Sequence, residues 1–377
     1  MYPASLALLL FSAAACGSSH GPEGEGTDAG LPRADGATPG TDGGRPRDGG
    51  TSMRTDGASA TDAARRDGGP DSGLPPRMVT CADDPPDDAV LPAPLPTYAG
   101  TCPTLTSGFN TITSSGAARQ FRVVVPEGAT DTERFPVLFL WHWLGGDADS
   151  FYERGEVQPA ADLDRFVAVI PEAKGDLMFK WPFASSVSAA RFDEELQFFD
   201  DMLACVAEQF AINQSCVGSI GVSAGALWTS QLAGHRAQSL SSFVSLSGGT
   251  GGLLARDFHP PSHRLPGIVL WGGPSDWCGE NFEDTSHDLE MHLESGGHFF
   301  VECIHDCGHA EPPLEAPPGA SKYAAIWRFV LQHPYWLRAG ESPYLVSGLP
   351  DDLPDWCGIG RGSATPRVGD CPGSACL

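Results

Sequence analysis

Downstream of residue 118 the chain repeats one hydrophobic pattern: a short β-branched or aromatic run, a polar loop, then apolar residues at helical spacing. "RQFRVVVP" (119–126), "FPVLFLWH" (135–142) and "FVAVIPEA" (166–173) read as strands. The third and later ones are nearly continuous in apolar residues, as strands buried on both faces are. In 193–210, Leu196, Phe199, Leu203, Val206 and Phe210 recur at helical spacing, with acids crowding the expected first turn where the helix dipole favours them. Then follow "CVGSIGV" as a strand, "GALWTSQLAGHR" as a helix, "LSSFVSLSGG", "GIVLWGG" and "HFFVECIH" as strands, and "SKYAAIWRFVLQ" as a last helix. This alternation predicts an α/β fold with a mostly parallel central sheet and helices on both of its faces.

The pattern is absent from the first fifth of the chain. Residues 17–80 are Gly, Asp, Thr, Ala, Pro and Arg in near-random order, with almost no aliphatic or aromatic side chain to offset the entropy of ordering the backbone. A disordered low-complexity linker is expected there. Ahead of it, "MYPASLALLLFSAAAC" is a short apolar run ending in small residues and a cysteine. It resembles a bacterial lipoprotein signal, with 13–16 as the lipobox and Cys16 as the acylated residue. The alternative is an ordinary secretory signal, because no Lys or Arg precedes the run and Ala13 replaces a larger aliphatic residue. The run is too short to span a bilayer, so the expected membrane contact is a lipid anchor alone. The domains then read as signal (1–16), linker (17–80) and a folded α/β domain (81–377), the last with a Cys-containing extension from about 340.

Charge and cysteines narrow the setting. The linker holds ten acids against seven arginines, so most of the formal charge of −25 lies downstream. A globular part that acidic repels phosphate backbones, and no basic patch with interleaved aromatics is visible, which argues against nucleic-acid binding. Setting Cys16 aside leaves ten cysteines, an even number that favours up to five disulfides in an exported chain. Connectivity is not fixed by the sequence; Cys205 with Cys216 and Cys81 with Cys102, which would close short loops, are the pairs to test.

"IGVSAGALW" (220–228) holds G-x-S-x-G where a buried strand gives way to a helix. Gly221 and Gly225 would allow a sharp turn that presents the Ser223 hydroxyl; the plainer alternative is a Ser that caps the helix. A Ser nucleophile needs a His to take its proton and a carboxylate to orient that His. "IVLWGGPSDWCG" supplies Asp276 just past a strand, with Glu280 and Asp284 as competing acids; "VECIHDCGHAEPP" supplies His309, with His305 as its competitor. The order Ser, Asp, His is the one this chemistry takes on an α/β sheet. An oxyanion hole would use the amide of Ala224 and one from the loop after an early strand, "HWLGG" at 142–146.

With these residues the chain resembles the α/β-hydrolase superfamily, in particular its exported polyhydroxybutyrate depolymerases and feruloyl or acetyl-xylan esterases. In that branch an early "HG" loop, G-x-S-x-G, a "G-x-x-D" turn and a late "GH" before Pro recur in this order, and the resemblance covers about residues 105–335. The resemblance implies an α/β-hydrolase fold and a serine esterase acting on polyester, feruloyl or acetyl-xylan type esters through an acyl-enzyme. It implies Ser223 as nucleophile, His309 as base, Asp276 as its orienter, Ala224 with Trp143 or Leu144 as oxyanion donors, and no cofactor. Trp143 stands where that family usually has Gly.

Trp143 and Trp277 flank the oxyanion loop and the orienting Asp and are the expected substrate contacts. Two alternatives come from other classes. A non-catalytic polymer- or carbohydrate-binding protein could retain the fold, and "CIHDCGH" (303–309) could be read as a zinc cluster, although disulfides explain its cysteines better in an exported chain.

Overall fold

The computed structural model describes residues 78–337 and 340–371. The expected signal with Cys16, nearly all of the linker, and Cys376 lie outside them.

The described chain forms β1 (Gly108–Ser114), β2 (Ala117–Val124), β3 (Phe135–Trp141), α1 (Ala148–Arg154), α2 (Val157–Asp164), β4 (Val167–Pro171) and α3 (Ala189–Gln209). It continues with β5 (Ile212–Val222), α4 (Ala224–His235), β6 (Ser242–Leu246), β7 (Gly267–Trp271), α5 (Phe282–Gly296), β8 (Phe300–Ile304), α6 (Ala324–Leu331), α7 (Tyr344–Ser347) and β9 (Cys357–Ile359). These strands make one nine-stranded sheet in the order β1-β2-β4-β3-β5-β6-β7-β8-β9. From β4 to β8 every neighbouring pair is parallel, while β1, β2 and β9 join antiparallel at the edges.

Alternating side chains of the parallel strands feed two separate cores. Val137, Phe139 and Trp141 of β3 pack in one cluster with α3, α4 and α5; Leu138 and Leu140 pack in the other with α1, α2 and α6. Burial on both faces is why β3 reads as an unbroken apolar run. This is the α/β-hydrolase fold, and among the described residues no helix is long and apolar enough to cross a membrane.

Several elements differ from the expectation. α3 begins at Ala189, one turn before residue 193, capped by the Ser188 hydroxyl, so its first turn holds no acids. The acids fall in the second turn instead, where Glu195 takes Arg119 and Arg191 as buried partners at 2.6 and 2.8 Å. β1 was not expected, because its three inward positions are Asn110, Ile112 and Ser114 and only one is apolar. α5 also escaped the pattern: its buried face mixes Phe282, Leu289 and Leu293 with Thr285, Ser286 and Glu290.

The disulfides are Cys81–Cys216, Cys102–Cys205, Cys303–Cys357 and Cys307–Cys371 among the described residues. The short-loop pairs, Cys205 with Cys216 and Cys81 with Cys102, do not form. Cys205 belongs to the core on the α3 side of the sheet, whereas Cys216 bonds Cys81, whose backbone amide is tied to Leu331 of α6 on the other side. A helix-to-strand turn therefore separates cysteines that are close in sequence. Cys357 and Cys371 fasten the C-terminal extension to β8 and the loop after it.

Candidate active site

Ser223 sits between β5 and α4 with φ 54° and ψ −118°, a strained conformation for a residue with a Cβ. Its surroundings impose it. A Cβ on Gly221 would run into the Gly225 carbonyl, and one on Gly225 into the carbonyls of Trp141 and His142. The two glycines thus let strand, helix and the loop after β3 come together. The Ser223 amide donates to the Leu246 carbonyl at 2.9 Å, and its side chain makes no cap hydrogen bond to α4.

The hydroxyl is turned to His309. His309 Nε2 lies 2.8 Å from Ser223 Oγ, and Nδ1 lies 2.7 Å from Asp276 Oδ1. A carboxylate can only accept, so Nδ1–H donates to Asp276 and Nε2 is left to accept from the serine. All three residues are buried. Asp276 follows a single 3-10 turn after β7, and His309 lies in the loop after β8. Ser223, Asp276 and His309 therefore come from the carboxyl ends of three parallel strands, where ligands of open α/β sheets bind.

Two further residues hold this chain of hydrogen bonds in place, and sequence reasoning missed both. Ser247 Oγ donates to Asp276 Oδ2 at 2.8 Å, beside the Gly272 amide at 2.7 Å. Phe282 stacks on the His309 ring with centroids 4.2 Å apart and planes at 18°. Ser247 lies in "SLSGG", one of many Ser–Gly stretches, and only its φ of 48° sets it apart.

The competing residues are occupied elsewhere. Glu280 accepts from the amides of Leu253 and Leu254 at 3.2 and 2.7 Å, pinning that loop, and exposed Asp284 accepts from Asn281. His305 is buried against Trp356, and its Nδ1 accepts from the Cys307 amide at 3.1 Å. Burial lowers His305 to about 4, so it is neutral.

Ala224 is the first residue of α4, and amides in a helix's first turn have no intrahelical acceptor. The loop carrying Trp143 and Leu144 is held against that helix start by the close approach at Gly225. Its conformation is fixed by His142, whose buried ring donates from Nδ1 to the Trp143 carbonyl at 2.9 Å, and by Trp181, which donates to the His142 carbonyl at 2.8 Å. Burial lowers His142 to about 4 as well. The Trp143 indole is buried in the α1–α6 core, Leu144 is 39% exposed, and Trp277 is 57% exposed next to Asp276.

The zinc reading of 303–309 does not survive: Cys303 and Cys307 are both in disulfides, and His309 is held by Ser223 and Asp276. One other His–carboxylate cluster, His287, Glu290 and Glu302, brings donor atoms within 4.8 Å of one another. Its carboxylates are already taken by protein donors. Glu302 accepts from the amides of Gly362 and Ala364, and Glu290 from Trp271 and pairs with His287.

Comparison with known proteins agrees with the fold. A solved native structure called sOPH superposes with a TM-score of 0.56 at 18% identity, covering 71% of this chain and 98% of that one. Probable feruloyl esterase C of Aspergillus terreus is 27% identical over 151 residues, 40% of this chain and 52% of its own. Feruloyl esterase D of Neurospora crassa is 27% identical over 169 residues, 42% of this chain and 56% of its own. The chain thus spans about half the length of the curated relatives it matches. No protein-family model matches it.

Proposed function

We propose that the protein is an exported serine esterase that hydrolyses carboxylic esters through an acyl-enzyme. The observation that carries this reading is the buried chain from Asp276 through His309 to a serine held in a strained strand-to-helix turn. A helix-capping serine would need neither the strain nor the imidazole.

In this mechanism His309 Nε2 takes the Ser223 proton as Oγ bonds to the acyl carbon, and Asp276 stabilises the imidazolium that forms. The oxyanion faces the start of α4, where the Ala224 amide donates, with an amide of the Trp143–Leu144 loop as second donor. Collapse expels the alcohol with the proton from His309; water then repeats the steps and frees the acid and Ser223. The similarity to feruloyl esterases supports carboxylic-ester substrates, among which the sequence resemblance points to the polyester, feruloyl or acetyl-xylan class. The disulfides suit an oxidising compartment, and the signal-like start with Cys16 supports a lipid anchor on the cell envelope, with secretion as the alternative.

Hydrolysis of an ester panel by wild type and by Ser223→Ala, His309→Ala and Asp276→Asn tests the reading. All three variants should stay folded and lose activity by several orders of magnitude, while chelators leave wild type unchanged. Retained activity in Ser223→Ala, or loss of activity on chelation, would overturn it.

A further inference from the structure

Next to the pocket floor around Ser223 and His309 lies a second cavity, and the two share Val222, Leu246 and Pro312 as walls. This second cavity measures about 50 Å³. Ile220, Ile326, Trp327 and the indole of Trp143 supply much of its carbon lining. Its polar members are engaged with one another or with the rings: the Tyr323 hydroxyl donates to Glu311 at 2.6 Å, Lys322 pairs with the same carboxylate, and the Arg154 guanidinium lies 5.2 Å from the Trp143 ring centre. The space therefore suits a small apolar group with no hydrogen-bonding atoms of its own.

Trp143 limits its size. The indole packs on Phe151 with centroids 6.3 Å apart, and it fits only because residue 146 is glycine: a Cβ there would come 2.8 Å from the ring. The cavity that remains is a fraction of the ~150 Å³ that accommodates benzene in a protein interior.

We propose that this cavity receives the acyl group and that the Trp143 side chain restricts it to short aliphatic acids, about acetyl to butyryl, excluding aromatic and long-chain acyl groups. The inference rests on the esterase reading and, of its polyester, feruloyl and acetyl-xylan candidates, selects acetyl-type esters over feruloyl ones. Trp143 acts here as a specificity residue through its side chain, a role separate from any contribution of its backbone amide. Removing the indole opens the cavity toward the size that holds an aromatic ring, so longer acyl groups gain a site.

The test uses the full chain with p-nitrophenyl acetate, butyrate and octanoate and with methyl ferulate, read as ratios of kcat/KM so that general losses cancel. Wild type should favour acetate or butyrate. Trp143→Ala should raise octanoate and ferulate relative to acetate by about tenfold or more, the scale on which apolar pockets discriminate. Ile326→Trp, which fills the cavity from another of its lining residues, should lower butyrate relative to acetate and decides the matter if Trp143→Ala fails to fold. A wild type that prefers octanoate or ferulate, or ratios unchanged in the folded variants, would overturn the inference while leaving the esterase standing. No hydrolysis of any ester by folded wild type would instead overturn the esterase reading itself.

Discussion

Ser247→Ala isolates the part of the site that lies outside the sequence motifs. The hydroxyl donates to Asp276 Oδ2 at 2.8 Å from a position that is almost fully buried. A hydrogen bond to a charged group contributes about 1.5–3 kcal/mol, and the deleted donor leaves part of a buried carboxylate unpaired. Asp276 retains the Gly272 amide and His309, so it stays in place and that range is an upper bound. The loss should fall on the transition state, because the carboxylate is needed most when the imidazole gains its positive charge. If the whole contribution appears there, kcat falls about 10- to 100-fold, since each 1.4 kcal/mol is a factor of ten. The assay is kcat and KM on a p-nitrophenyl ester, with a melting curve to show that the variant is folded. A double-mutant cycle adds the control: Ser247→Ala should cost little more once Asp276 is Asn, because the two act as a unit. A folded Ser247→Ala enzyme within twofold of wild type would refute the reasoning, as would full additivity with Asp276→Asn.

Other outcomes follow from the same structure. Replacing Cys81 and Cys216 by Ser opens a link between residues 135 apart, which chain-entropy reasoning values at up to about 5 kcal/mol; a large drop in denaturant midpoint is expected, and an unchanged midpoint would contradict the pairing. His305 is held neutral by burial, at about 4 against 6.5 in an unfolded chain. Its contribution to stability is therefore complete above pH 6.5 and lost as pH falls from 6.5 toward 4, on the order of 3 kcal/mol in all. In thermal melts, His305→Asn should lose less stability than wild type between pH 7 and 4, and parallel profiles would show that the buried neutral form is misassigned. The same variant should retain most ester hydrolysis, in contrast to His309→Ala.

Legibility in the sequence followed the physics of each element. The parallel strands were readable because burial on both faces leaves few polar positions, and the hydrogen-bonded set of Ser223, Asp276 and His309 was readable because each residue follows such a strand. β1 and α5 were not, because their inward faces carry Asn110, Ser114, Thr285 and Glu290, polar residues whose burial is settled only by tertiary packing. Ser247 and Phe282 were silent for the same reason: a serine in a Ser–Gly stretch and an aromatic at a helix start acquire meaning only when Asp276 and His309 are brought beside them. The cysteine pairs failed because loop length carries no information on which face of the sheet each sulfur occupies. Trp143 stood out in the sequence as a bulky residue in the loop expected to donate to an oxyanion, but its burial required the packing of α1 and α6.

The central claim is that Ser223 is an activated nucleophile, and stoichiometric labelling with a fluorophosphonate tests it most directly. The hydroxyl attacks phosphorus only if His309 accepts its proton, so the reagent reads activation without requiring knowledge of the natural ester. The account predicts one label per chain, mapped by peptide mass spectrometry to Ser223, absent in Ser223→Ala and greatly slowed in His309→Ala. Folded wild-type protein that remains unlabelled, or that carries its label on another serine, would contradict it.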